Sequence, residues 1–342
     1  MASSDGLQHI LFENEIPAKV GDDLEEMYQS PFCVLEYFEI FREVHSLNAL
    51  CISGGETAPR HIIVYSISGG EITVLNELVE IGQEYIQYFA DTVFNRYPAI
   101  TTVNFNCIKN EIGDLHYPWR LWKTSQDIVV TLPQSIESYH TQLGAQTQKH
   151  IRYYINRLQK EFVDFSFTIS ATHEADPAFI SRIIEMNRLR MKVKNITSGF
   201  DNAFEARIIK FCRHYGLIST VSLNGKIVAG AICYEVGNQS YLEVISHDPA
   251  FNKYNAGQVC LYLTIKHLIE TGKESFHMLW GENEYKYRFL GVKQELYFFS
   301  VYRSFSSKLL SIPRVTRHMC SYMFRQLDYL TKKYIINRLW KR

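Results

Sequence analysis

The chain has 342 residues, 21% charged and 46% hydrophobic, and its 36 basic side chains balance 36 acidic ones to a formal net charge of zero. That balance excludes the overall basic footprint of a general nucleic-acid binder, and the length suits two domains of ordinary size. The cysteines, at 33, 51, 107, 212, 233, 260 and 320, form no CxxC pair and match no histidine spacing, which argues against a disulfide framework and against a zinc site.

The opening MASSDGLQHILFENEIP has neither a basic leader nor an apolar core of signal length, and no later run is long enough to span a membrane, so a cytoplasmic protein is expected. Up to Gly54 the sequence is acidic at Asp22, Asp23, Glu25 and Glu26, then aromatic at Phe32, Tyr37, Phe38 and Phe41. This segment reads as helix. HIIVYSISGGEITVLNELV predicts a strand, a turn at Gly69-Gly70 and a second strand. The helical EIGQEYIQYFADTVFNRYP and the strand TTVNFNCI follow. A first α/β lobe over 1–126 is expected, without a small-residue loop entering its helix.

DLHYPWRLWKTSQ reads as a linker whose Tyr117, Trp119 and Trp122 lie beside Arg120 and Lys123. Such a group can stack on a base or a sugar, and packing is the favoured reading. After the strand DIVVTLP, the helical stretch to Phe162 puts Ile151, Ile155, Leu158 and Phe162 on one face. Lys149, Arg152, Tyr153, Asn156, Arg157 and Lys160 fall on another. A solvated charged face is the plain explanation of those cations. DFSFTISAT is a strand, and a long helix starts near Pro177. The Arg188, Arg190, Lys192 and Lys194 cluster at its end suits the helix dipole and is read as structural.

FEARIIKFCRHYG is a further helix and LISTVSLNG a strand that ends in the Asn224-Gly225 turn. Two strands then follow, GKIVAGAICYEV and SYLEVIS. In the first, Val228, Ala229, Ala231 and Cys233 are small enough for close packing. HDPAFNKYNAGQVCLYLTIKHLIETG enters an amphipathic helix at Ala256-Gly257-Gln258, where backbone N–H groups and the helix dipole would face a phosphate. SFHMLWG reads as a strand and GENEYKYRFLG as a turn.

This order of strand, strand, loop, helix and strand resembles the acyl-CoA-binding core of the GNAT acyltransferase superfamily. Tyr254-Asn255-Ala256-Gly257, joined to GENEYKYRF from Gly281 to Phe289, is similar to its Fem-like branch, which includes cellulose-biosynthesis-type acetyltransferases. Lys253 and the single Gly257 stand where the common loop has Arg or Gln and spaced glycines. The resemblance implies a mixed α/β sheet flanked by helices in two tandem GNAT-like lobes, the first degenerate and the second, catalytic one over 127–303. It implies acyl-CoA as donor at Val244, Ile245, Tyr254, Asn255, Ala256, Gly257 and Gln258, with no metal. It brings Glu243 and His247 to the thioester and places Glu282, Glu284, Tyr285 and Lys286 at the same cleft. Tyr285 would protonate the thiolate, and Lys286 would hold substrate charge or support the loop. Lys149 and Arg152 would face an anionic substrate.

Residues 304–342 form a basic tail with an apolar stripe through Val315, Met319, Met323, Leu327, Leu330 and Tyr334, suited equally to an anionic membrane surface and to its own core. Either His247 or Glu243 could take an ammonium proton, while a strand-end histidine bonded to Asp248 explains His247 as well. Three functions stay open. They are acyl-CoA-dependent transfer to an amine (a small molecule, an amino sugar or a long-chain amine), aminoacyl-tRNA-dependent transfer, and a non-catalytic scaffold at a membrane.

Overall fold

The computed structural model describes residues 6–42, 46–54, 61–110 and 113–311. In chain order its strands are β1 (Leu7–Phe12), β2 (Asn48–Gly54), β3 (His61–Ser68), β4 (Glu71–Val74), β5 (Thr102–Ile108), β6 (Trp119–Thr131), β7 (Ser166–Ala171), β8 (Gly216–Leu223), β9 (Lys226–Val236), β10 (Gln239–His247), β11 (Ser275–His277) and β12 (Val292–Tyr302). The helices are α1 (Ala18–Tyr28), α2 (Leu35–Tyr37), α3 (Gln83–Arg96), α4 (Ile136–Gln142), α5 (Ala145–Glu161), α6 (Pro177–Val193), α7 (Asn202–Tyr215), α8 (Ala256–Glu270), α9 (Glu284–Arg288) and α10 (Phe305–Leu310). The described chain divides into two compact units.

Among the described residues, the first unit gathers those of 6–11, 48–124 and 296–311. Its strands run in the order β1-β2-β3-β4-β5-β12. β3 pairs antiparallel with β2 and β4, the latter through the Gly69-Gly70 turn, and α3 carries the chain across to β5, which is parallel to β4. Tyr85, Ile86, Phe89, Ala90 and Val93 give α3 its buried face, and Phe89 meets Tyr65 and Phe105 edge-on.

The second unit gathers 12–47 and 125–295, with strand order β6-β11-β10-β9-β8-β7. β8, β9 and β10 form antiparallel hairpins, and α8 carries the chain across to β11, parallel to β10. β11 in turn lies antiparallel to β6. Each unit therefore repeats one plan: two hairpins, a crossover helix, a parallel strand, and a closing antiparallel strand. The closing strand is β12 in the first and β6 in the second, so each is supplied from beyond the other unit's stretch of sequence.

Three expectations are revised. Residues 114–126 do not form a linker, because Trp119 to Thr131 is one continuous strand; Trp122 stacks on Phe298 at 4.4 Å within the first unit. The helix expected up to Gly54 is broken into helical pieces with β1 before and β2 after. Its residues 12–47, assigned by sequence to the first lobe, belong with the second unit. Tyr215 donates to Glu25 at 2.8 Å, Tyr241 to the Gln29 carbonyl at 3.2 Å, and Phe32 packs edge-on against Trp280. The sequence reading also missed β12. Of the tail over 304–342, only the part to Ser311 lies among the described residues, so its apolar stripe falls outside them.

The second sheet is covered on both faces. One face buries Ala229, Ala231 and Cys233 against α8 residues such as Val259, Cys260 and Ile265, with Leu158 of α5. On the other, α6 packs against β9 and β10. Gly230 permits that approach, because a Cβ there would stand 2.5 Å from Ile183 Cγ1 and 3.0 Å from the Ser219 carbonyl. Gly230→Ala is expected to lower stability by about 1–3 kcal/mol through overpacking, measured as a reduced urea midpoint at unchanged slope.

Candidate active site

The site begins where two parallel strands part. β10 and β11 pair only from Gln239↔Ser275 to Tyr241↔His277, whereas β10 runs on beside β9 as far as His247↔Ala229. On the other side, Met278 N–H donates to the Ile128 carbonyl at 2.7 Å, which carries the end of β11 toward β6. The edge of β10 from Leu242 to His247 is thereby left beside a wedge. The sequence reading placed Val244 and Ile245 on this edge. A bulge between Leu242 and Val244 shifts the register there, so that Leu242 and Ile245 pack into the α5/α8 core.

Lys286 holds the far side of the wedge. Its ammonium, only 3% exposed as a residue, donates to the carbonyls of Met278 (2.5 Å), Leu279 (3.0 Å) and Trp280 (2.6 Å). Burial lowers its pKa to about 8, against the attraction of Asp127. All three ammonium donors are engaged, so of the two expected roles the geometry supports the loop and leaves none of them for a substrate.

The α8 end is built from Asp248 onward. Asp248 caps the turn through Ala250 N–H at 3.0 Å and binds Arg182 at 2.9 Å. Asn255 takes the left-handed conformation, with φ 54°, before α8 starts. Its carbonyl accepts from Gln258 N–H at 2.9 Å, so Gln258 does not present the bare N–H expected of it, and Ala256 is fully buried, which leaves Gly257, partly exposed, of the three expected positions. Tyr254 turns inward instead. Its hydroxyl donates to Glu161 at 2.7 Å, and Arg157 lies 4.8 Å from its ring centre. Its side chain ties the loop to α5.

Gly257 and His247 touch. A Cβ at Gly257 would stand 2.9 Å from His247 Nδ1. The imidazole Nε2 bonds Asn252 Oδ1 at 2.8 Å, which replaces the Asp248 partner expected from sequence. Burial lowers the His247 pKa; the Asn252 bond opposes this, and the charges of Arg190 and Lys194 add to it. The ring is therefore neutral near pH 7. Glu243 differs in kind, since burial alone raises its carboxyl to about 7, and its neighbours are Cys212 and Tyr234 on the α7 side.

Tyr285 is half-buried and stands within electrostatic range of Arg190; burial raises its pKa while the guanidinium pulls it down. Glu282 pairs with Lys293, and Glu284 with Arg288 at 3.1 Å, so both expected substrate carboxylates are engaged with their own neighbours. Lys149 and Arg152 line a surface hollow of roughly 330 Å³ on α5, and Arg152 also borders one of roughly 160 Å³ beside His140 and Tyr262. The structure thus brings His247, Gly257 and Tyr285 toward the wedge, with Glu243 on the same strand, and leaves the α5 cations apart. Sequence reasoning missed Asn252 and Arg190. Arg190 had a legible signal, since Ile183, Met186, Asn187 and Arg190 follow helical spacing along the buried face of α6.

Comparison with known proteins agrees with this geometry. Residues 145–287 match the acetyltransferase (GNAT) domain family. The second unit carries a GNAT domain. Among solved structures, FemX aligns at 9% identity with a TM-score of 0.64, covering 85% of this chain and 96% of its own. A conserved protein of unknown function from Bacteroides thetaiotaomicron aligns at 13% identity with a TM-score of 0.53, covering 86% and 100% respectively. At these identities the likeness is one of fold. No curated protein matches the sequence. Among the described residues, no helix is long and apolar enough to cross a membrane, and no cluster of three or more His, Cys, Asp or Glu side chains could hold a metal.

Lys286→Met is expected to strand three carbonyls and to cost about 2–4 kcal/mol of stability. A denaturation midpoint equal to that of the wild type would show that Lys286 does not hold the wedge.

Proposed function

We propose that the GNAT domain moves an acyl group from acyl-CoA to an amine by direct attack on the thioester. The observation that carries this reading is the parting of β10 from β11 beside the start of α8. It offers an unpaired strand edge to the pantetheine amides and, at the partly exposed Gly257, the start of α8 to the pyrophosphate.

In this reading Glu243 is the general base. A carboxyl raised to about 7 is half ionised at neutrality and basic enough to take the ammonium proton. The amine then forms the C–N bond at the thioester carbon, with the oxyanion held by β10 backbone N–H. Collapse breaks the C–S bond, Tyr285 gives its proton to the departing thiolate, and the surplus proton on the new amide nitrogen passes to the Tyr285 phenolate, which restores the phenol. The amine belongs to a small molecule, an amino sugar or a long-chain acceptor.

The base must be deprotonated, so kcat/KM, followed by thiol release with a panel of amines, should fall as pH drops through about 7. Glu243→Gln should lose about 10²- to 10⁴-fold. A limb below 6.5, the ordinary histidine value that His247 is pushed beneath, would transfer the role to His247. Calorimetry with acetyl-CoA and a long-chain acyl-CoA should show binding by wild type and loss in Gly257→Glu, which puts a carboxylate at the start of α8. Binding of charged tRNA with no binding of either thioester would overturn the reading in favour of an aminoacyl-tRNA donor.

A further inference from the structure

The arginines of α6 fall into two kinds. Arg182 is bonded to Asp248 at 2.9 Å and Glu185 at 2.6 Å, and Arg188 to Glu205 at 2.9 Å and the Phe200 carbonyl at 2.7 Å. Among the described residues, the Arg190 side chain has no such partner. Its Nε is sealed from solvent without a hydrogen bond. It continues the buried stripe of Ile183, Met186 and Asn187 on the helix that packs against β10. Tyr285 and His247 are its neighbours, and Lys194, one turn on, acts on the same imidazole.

A guanidinium taken partly out of water with no counter-ion costs several kcal/mol unless something offsets it. The charges acting on His247 are Arg190 and Lys194, both positive, and Asp248. Asp248 is already bound by Arg182 and by Lys226 at 3.2 Å. The same imidazole lies against Gly257, whose loop carries one glycine and no arginine. Two cations of α6, the half-buried Arg190 and the exposed Lys194, thus act on the imidazole that lies against Gly257 at the start of α8.

We propose that Arg190 and Lys194 form an oxyanion-binding subsite beside His247, filled by a phosphate or carboxylate group of a bound substrate. This rests on the acyl-transfer reading only for the identity of that substrate. A planar, always-charged fork suits two oxygens of one anion, and Lys194 adds a second charge from the helix end. The anion comes either from the donor's phosphates or from a charged group on the acceptor.

Inorganic phosphate is the probe, and the His247 imidazole, assigned by the signal missing in His247→Asn, is the reporter in proton NMR. Adding phosphate should raise the imidazole titration midpoint in wild type, because it neutralises the two cations, and the response should vanish in Arg190→Gln and weaken in Lys194→Gln. The source is read separately by calorimetry. A loss of roughly ten- to a hundredfold in acetyl-CoA affinity in Arg190→Gln, the size of one charged hydrogen bond, with S-acetylpantetheine unaffected, assigns the donor's phosphates. Unchanged acetyl-CoA affinity alongside the lost phosphate response assigns the acceptor. A wild-type imidazole indifferent to phosphate, or one that responds equally in Arg190→Gln, overturns the subsite. Arg190→Lys, which keeps the charge, should keep part of the response and guards against a folding defect. Failure of wild type to bind acetyl-CoA would count against the acyl-transfer reading and leave the phosphate result standing.

Discussion

One buried ammonium group decides where β11 stops. Lys286 reaches back from α9 to three successive carbonyls, 278 to 280, and Leu279 between them adopts φ 49°, a strained conformation for a residue with a Cβ. Without those acceptors the charge would not tolerate burial, and without the charge three carbonyls would lack donors. Each side makes the other possible, and the result is a strand of three residues that leaves its parallel neighbour early. Gly291 completes the arrangement. A Cβ there would clash with Ile128 and stand 2.8 Å from the Lys286 carbonyl, so the chain can close over the clasp only with glycine.

The two units share one topology and differ at the entry to the crossover helix. Both send a helix from one strand to its parallel neighbour. In the second, α8 starts with Ala256, which is fully buried, and Gly257, which is partly exposed and lies against His247. In the first, α3 starts after Gly82, and the Glu84 carboxylate folds back to within 2.7 Å of where a Cβ on Gly82 would lie. That acid fills the favourable electrostatic position with charge of the protein's own. Gln83 meanwhile accepts from Gly113 N–H at 3.1 Å, committing the first turn of α3 to its own loop. The entry to α3 is thus engaged by side chains of its own turn and loop.

Much of the architecture was legible because it rests on local rules. The hairpins at Gly69-Gly70, Asn224-Gly225 and Gly237-Asn238 need positive φ, and all of these glycines have it. The small residues of β9 announced close packing, and Ala229, Ala231 and Cys233 are fully buried. Strand pairing between distant segments was not legible. The stretch from Trp119 reads as a linker because its alternation is aromatic and basic, yet it is half of a long strand. β12 escaped notice for a similar reason: its aromatic run gains meaning only from pairing with β5.

By itself the sequence determined the hairpin turns and the small-residue entry to α8, since each depends on neighbours within a few residues. That Glu243, His247 and Tyr285 share one cleft was an expectation implied by the family resemblance. Only tertiary structure decided which of those groups are committed. Lys286 is consumed by carbonyls, Glu282 and Glu284 are ion-paired with adjacent cations and Tyr254 bonds Glu161, whereas among the described residues the Arg190 side chain has no ion-pair partner. The reason is physical: a charged side chain has the same reach in any sequence, and its availability depends on what the fold brings within about 3 Å of it.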